Sequence, residues 1–281
     1  MKKYLFFLVI IFTSCTALID INTDDAEPRL IIFGSISNDF TRHSVQITRS
    51  AGYFSGEAPP AITNAVITIS TENEVFELLQ DTVPGVYYTD SIAGEPNETY
   101  TLDVLLDFDN DGVAEHYRAV SKMPKGPRVD SIQLSDYIID KFPVLMLYGE
   151  VFHDMENNFC IYTTKNNKPQ GLFDFMMFPE SMIVTIGNIY PLPYFVRGGI
   201  HVGDTVNFRI DDVDNAYAIF LSQAKEEMSM KTPFFSSPPA EVVTNIHCLD
   251  ANIRVSGFFA AYHRGEDMIT ISTINFDMPF N

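Results

Sequence analysis

The chain has 281 residues, a formal charge of −19, 46% hydrophobic residues and 20% charged residues. That balance describes a folded globular chain rather than a disordered one, and its acidity argues against nucleic acid, whose phosphates demand a basic footprint. It argues equally against electrostatic attraction to anionic lipid, so attachment to a membrane has to come from acyl chains.

Residues Met1 to Cys15 read as a bacterial export signal: Lys2 and Lys3, an apolar run from Tyr4 to Phe12, the small residues Thr13 and Ser14, then a cysteine. The run is too short to span a bilayer as a stable helix. A cysteine at the cleavage point resembles a lipobox, which implies that Cys15 becomes the lipidated first residue of the mature protein. Phe12 departs from that pattern, and the alternative is an ordinary signal peptide with an incidental cysteine. Residues 1–14 are therefore expected to be removed and residues 15–28 to form a lipidated cysteine and polar tether. Loss of Lys2 and Lys3 takes the formal charge from −19 to about −21. The mature length suggests roughly two domains.

Residues 29–125 read as short strands at 30–37, 44–49, 65–70, 75–79, 85–90, 100–106 and 116–121. Most alternate apolar and polar residues, as in Val45-Gln46-Ile47-Thr48 and Val66-Ile67-Thr68-Ile69, and each is bounded by Gly, Pro, Asn or Asp. Such spacing predicts an antiparallel sandwich of immunoglobulin or transthyretin type. Met123-Pro124-Lys125-Gly126-Pro127 then interrupts the pattern and marks the expected domain boundary.

Residues 126–281 are less regular, and a second antiparallel β-rich domain is expected, with strands at 131–134, 145–153, 158–164, 182–186, 205–210, 254–262 and 268–273. One amphipathic helix is predicted over 214–228. Asp214 caps it, and Tyr217, Phe220, Leu221, Ala224 and Met228 share a face. The Asp211-Asp212-Val213-Asp214 cluster just before it is read as helix-capping charge.

The sharpest chemical signal is Asp107-Phe108-Asp109-Asn110-Asp111-Gly112-Val113-Ala114-Glu115. Alternating carboxylates followed by glycine can wrap hard oxygen ligands around Ca²⁺. Asp107, Asp109, Asp111, the Val113 carbonyl and Glu115 are the candidate ligands. An EF-hand is excluded, because Arg118 stands where its last glutamate would be and the flanks read as strands. Two readings stay open, a calcium-stiffened hairpin or a solvated acidic turn.

Cys160 and Cys248 lie in a chain expected to be exported, where disulfides persist; they are candidates for pairing or for two buried thiols. No CxxC spacing supports zinc. The histidines form no HExxH, no GxSxG elbow supplies a nucleophile, and His153-Asp154 with Glu156 falls at a strand end. Two Met- and aromatic-rich stretches with prolines, containing Phe173, Phe175, Met176, Met177 and Phe178, then Tyr190, Tyr194 and Phe195, read as loops. They are candidates for a partner or ligand face, or for loops packed over the core. Pro233 to Pro239 is a third such stretch.

Over nearly its whole mature length the chain resembles the Bacteroidota outer-membrane lipoproteins grouped as domain of unknown function 4249. The resemblance rests on Ile31-Ile32-Phe33-Gly34-Ser35-Ile36, Val45-Gln46-Ile47-Thr48-Arg49-Ser50, Asn64 to Ile69, Gly85-Val86-Tyr87-Tyr88, Glu98 to Leu102 and Met123-Pro124. It continues through Gly203-Asp204-Thr205-Val206, Asp214-Asn215-Ala216-Tyr217, Thr244-Asn245-Ile246 and Val255 to Tyr262. Members are often encoded beside TonB-dependent receptors. The resemblance therefore implies a lipid-anchored outer-membrane protein, on the periplasmic face or cell surface, acting as a non-catalytic accessory or binding component of an uptake system. The alternative is a free-standing surface module or adhesin for glycan or peptide.

Overall fold

The computed structural model describes residues 28–51, 58–126, 128–139, 142–150, 158–169, 175–179, 189–196, 198–228, 241–251 and 253–273. The export signal, Cys15, His153, Asp154, Glu156, Phe173, the strand expected at 182–186 and the Pro233 to Pro239 stretch lie outside these residues.

The first half forms the strands that its alternation predicts: β1 (Leu30–Ser37), β2 (Thr41–Arg49), β3 (Val66–Ser70), β4 (Val75–Gln80), β5 (Val86–Ile92), β6 (Thr99–Leu106) and β7 (Glu115–Lys122). Period-two patterning puts Leu30, Ile32 and Ile36 of β1 on the same side as Val45 and Ile47 of β2. They face Ile67, Ile69, Leu102, Val104 and Tyr117 from β3, β6 and β7 in one core. β4 is the corner, pairing with β3 on one side and β5 on the other. Each fully buried aliphatic side chain contributes roughly 1.5–3 kcal/mol. The tyrosines entering this core bring their hydroxyls to partners: Tyr87 Oη donates to Ile62 O and Tyr100 Oη accepts from Glu95 N–H.

The second half contributes β8 (Arg128–Ile139), β9 (Phe142–Glu150), β10 (Asn158–Lys165), β11 (Lys168–Pro169), β12 (Phe175–Pro179), β13 (Ile189–Tyr194), β14 (Thr205–Val213), α1 (Asn215–Met228), β15 (His247–Cys248) and β16 (Val255–Thr270). Among the described residues the protein is thus mostly β, with one helix, a large sheet and a smaller one. The small β13-β9-β8 sheet packs on one face of β10-β14-β16, burying Leu145, Leu147, Phe159, Ile161, Phe208 and Ile210. Helix α1 covers part of the opposite face, where Tyr217 and Phe220 meet Phe258.

β16 joins the two halves. Its first eight residues run parallel to β1, from Leu30↔Val255 to Ser37↔Tyr262, and its remainder runs antiparallel to β14. Val255, Phe259 and Ala261 fill the first core, whereas Ile269 and Ile271 belong to the second. Gly257 allows the close approach to β1: its φ is +105°, and a Cβ there would lie 1.9 Å from Ile32 O. The strands expected separately at 254–262 and 268–273 are therefore one strand of 16 residues. Its polar middle, His263 to Asp267, stays in the ladder, paired residue by residue with β14, and Arg264 there is held by ion pairs to Asp39 and Asp211.

Two further expectations change. The stretches read as loops contain β12, paired with β10, and β13, paired with β9. Pro191 and Pro193 are tolerated because β13 is an edge strand and prolines two residues apart share the side that need not donate. In the helix, Asp214 Oδ1 accepts the Tyr217 N–H at 2.7 Å, as the cap predicts. The buried contacts are made by Ala218 and Leu221, with Tyr217 and Phe220 alongside, while Met228 is exposed.

Candidate metal centre and partner face

β6 and β7 end at the pair Leu106↔Glu115, and the residues between them fold the acidic motif back on itself. Asp107 accepts twice, Oδ1 from Asp111 N–H at 3.1 Å and Oδ2 from Gly112 N–H at 3.0 Å. Asp109 Oδ1 also accepts from Asp111 N–H, and Asp111 Oδ1 accepts from Val113 N–H at 2.7 Å. Asn110 and Gly112 take φ of 62° and 91°, conformations that asparagine and glycine tolerate best. Nothing would obstruct a Cβ at Gly112, so the dihedral and not crowding calls for glycine.

Glu115 supplies the buried wall of the loop, its Oε2 accepting from Phe108 N–H at 2.9 Å and from Tyr117 Oη at 3.3 Å. Burial, reinforced by the adjacent Glu115 charge, pushes the Tyr117 phenol well above its ordinary range. Arg49 lies over the Phe108 ring and donates to Phe108 O, tying the loop to β2. One carboxylate oxygen each from Asp107, Asp109, Asp111 and Glu115 lies within 4.8 Å of the others. The structure thus assembles four of the five expected ligand residues, and the Val113 side chain points to solvent, leaving its backbone as the donor. An all-oxygen set of carboxylates on a turn fits a hard cation such as Ca²⁺.

The other candidates fare differently. Cys160 and Cys248 are free thiols: Cys160 is buried in the cluster under α1, whereas Cys248 packs at the edge of the first core. No disulfide joins them, because they belong to separate clusters. Burial raises the Cys160 thiol to about 12. Phe175 and Tyr194, expected on a partner face, are core residues; Phe175 packs against the Tyr162 ring and Tyr194 meets Phe208 edge-on at 5.0 Å. Met177 is partly buried in the same cluster as Phe175, Phe195 is half-buried, and Met176 is exposed. Phe178 and Tyr190 hold their places in β12 and β13 through backbone pairing.

Capping accounts for Asp214 but not for Asp211 and Asp212. Asp211 is only 4% exposed and lies against Arg264 Nε at 2.9 Å and Arg209 Nε at 3.3 Å. Burial nevertheless raises its carboxyl above the ordinary value of 3.8, the two arginines opposing the shift. Arg264 also donates to Asp39 and to Tyr262 Oη, and its backbone exchanges two hydrogen bonds with the Asn38 side chain. This ties the β1–β2 turn to β16 and β14. Sequence reasoning missed the hub because its members are scattered from residue 38 to residue 264.

On the outer face of the first half, Leu79, Val66 and Leu105 sit on neighbouring strands β4, β3 and β6, with Val66 directly opposite Leu105. They are 70%, 63% and 43% exposed. The adjoining surface is polar, with Asp103 bound to His116 Nε2 at 2.6 Å and Arg118 Nε at 2.7 Å.

A family model described as "Domain of unknown function (DUF4249)" matches residues 16–267. The chain belongs to the DUF4249 family. No curated protein matches it. Among solved structures, a cytokine receptor complex is similar at 7% identity, covering 86% of this chain and 97% of the other, with a TM-score of 0.29. A chimeric titin Z1Z2 carrying an exogenous decorin peptide is similar at 11% identity, covering 66% and 87%, with a TM-score of 0.19. At such scores neither bears on the arrangement of this DUF4249 chain.

Proposed function

We propose that this protein is a lipid-anchored outer-membrane component, acylated at Cys15, that serves as a non-catalytic accessory or binding partner of a TonB-dependent uptake system. The observation that carries the reading is the run from Lys2 through the apolar segment to Cys15. No helix among the described residues is long and apolar enough to cross a membrane. Acyl chains on Cys15 would hold such an acidic body at a membrane whose charge does not attract it. The exposed Leu79, Val66 and Leu105 row supports a contact with another protein, since neighbouring exposed aliphatic side chains mark interaction surfaces.

A free-standing adhesin draws less support, because the aromatic residues Phe175 and Tyr194 that would have formed its platform are buried. We further propose that the 107–115 hairpin takes Ca²⁺, supported by the convergence of its four carboxylates. Fractionation tests the anchor: Cys15→Ala should move the protein out of the membrane fraction, and a variant still held at the membrane after salt washing would overturn the assignment.

A further inference from the structure

The face of β10, β14 and β16 that α1 leaves uncovered forms a cleft of about 550 Å³ lined by Tyr162, Thr164, Asn207, Arg209, Glu266 and Met268. Register builds it from two rows: Tyr162, Arg209 and Glu266 lie across three adjacent strands, and Thr164, Asn207 and Met268 form the next row on the same face. Its size falls within the range of small-molecule sites.

Arg209 and Glu266 are direct cross-strand neighbours of opposite charge, a pairing that ordinarily closes into an ion pair. Here it does not. The Arg209 guanidinium lies 3.9 Å over the Tyr162 ring and pairs with Asp211 at 3.3 Å. Its Nε is buried against Asp211. Glu266 approaches Arg264 Nε only at 4.0 Å and is 62% exposed at its side chain. The Asn207 amide donates to Thr164 Oγ1 at 3.1 Å, which turns its own carbonyl oxygen into an acceptor for a ligand N–H.

The cleft thus holds a cation seated over an aromatic ring and a neighbouring anion that pair with Asp211 and Arg264 rather than with each other, with an amide and a thioether in the next row. A guanidinium held over a ring in this way is suited to recognition of a carboxylate. We infer that this cleft binds a small zwitterion of the α-amino-acid or short-peptide kind, its carboxylate on Arg209, its ammonium on Glu266 and its apolar part against Tyr162 and Met268. The assignment stands independently of membrane anchoring and of any receptor.

Calorimetric titration of the full chain in detergent, with L-leucine and L-leucyl-L-leucine and with the N-acetylated and C-amidated form of each, tests it. At least one free zwitterion should bind, and blocking either end should weaken it tenfold or more; which of the two binds sets the ligand length. Arg209→Met should erase the preference for the free carboxylate over the amide, and Glu266→Gln the preference for the free ammonium. Glu266 is exposed, so its variant carries the test even if Arg209→Met fails to fold. Absence of binding by both zwitterions at millimolar concentration, equal binding of blocked forms, or preferences that survive these substitutions would overturn the assignment.

Discussion

Replacing Arg264 with methionine should destabilise the protein through Asp211. The carboxylate is 4% exposed, and Arg264 Nε stands 2.9 Å from Oδ1. Removing one partner of a buried ion pair costs about 3–5 kcal/mol, chiefly because a charge is left uncompensated. Arg209 remains at 3.3 Å, so the loss should fall near the lower end, about 3 kcal/mol. For a chain of this size that is a fall in Tm of roughly 6–12 °C. The pH dependence follows from the raised carboxyl of Asp211. A carboxyl whose folded pKa lies above its unfolded one contributes stability that is complete below the ordinary value of 3.8 and is lost as pH rises through the folded value. Arg264→Met raises that folded value further, so its penalty should shrink as pH is lowered from 7 toward 5. Adding Asp211→Leu should recover most of the loss at pH 7, because an apolar replacement removes the charge that needs a partner. Denaturant titrations at the two pH values read all of this. A penalty under about 1 kcal/mol, equal at both pH values, would mean that Arg264 does not compensate a buried Asp211 charge.

At saturating Ca²⁺, about a hundredfold above its dissociation constant, the hairpin should add about 2.7 kcal/mol to stability. Chelation should remove that gain and Asp109→Ala should abolish the response; a melting curve indifferent to Ca²⁺ would leave a solvated acidic turn. Phe259 is fully buried where β16 closes the first core, so Phe259→Ala should cost about 3–5 kcal/mol by chemical denaturation. Leu79→Lys, at an exposed position, should change stability by no more than about 0.5 kcal/mol while reducing recovery of a protein partner from membranes. Retention of full recovery would remove that row from the interface.

The strands of the first half were legible because one face is buried and the other wet, so alternation survives in the sequence. Where both faces are covered, that signal fades: β14 ends in Asp211, Asp212 and Val213, all buried, and its acidic residues resemble a helix cap until Arg264 is seen beside them. β16 defeated the reading for a related reason, since four polar residues around a glycine break the apolar pattern unless their partners on β14 and the β1–β2 turn are known. The prolines of β13 concealed an edge strand. In the acidic hairpin the motif was local, and Asp107, Asp109, Asp111 and Glu115 could be named from spacing alone. The cleft beside Arg209 could not, because its rows are assembled from three strands that lie far apart along the chain.

The proposed role at the outer membrane beside a receptor can be tested in cells. Its most direct test is cross-linking in intact cells, followed by gentle extraction and purification of the tagged full chain, with the co-purifying proteins identified by mass spectrometry. A TonB-dependent receptor should be recovered in near-stoichiometric amount, and lost when Cys15→Ala releases the protein from the membrane. Recovery of the acylated protein alone, with no outer-membrane receptor cross-linked to it, would contradict that role.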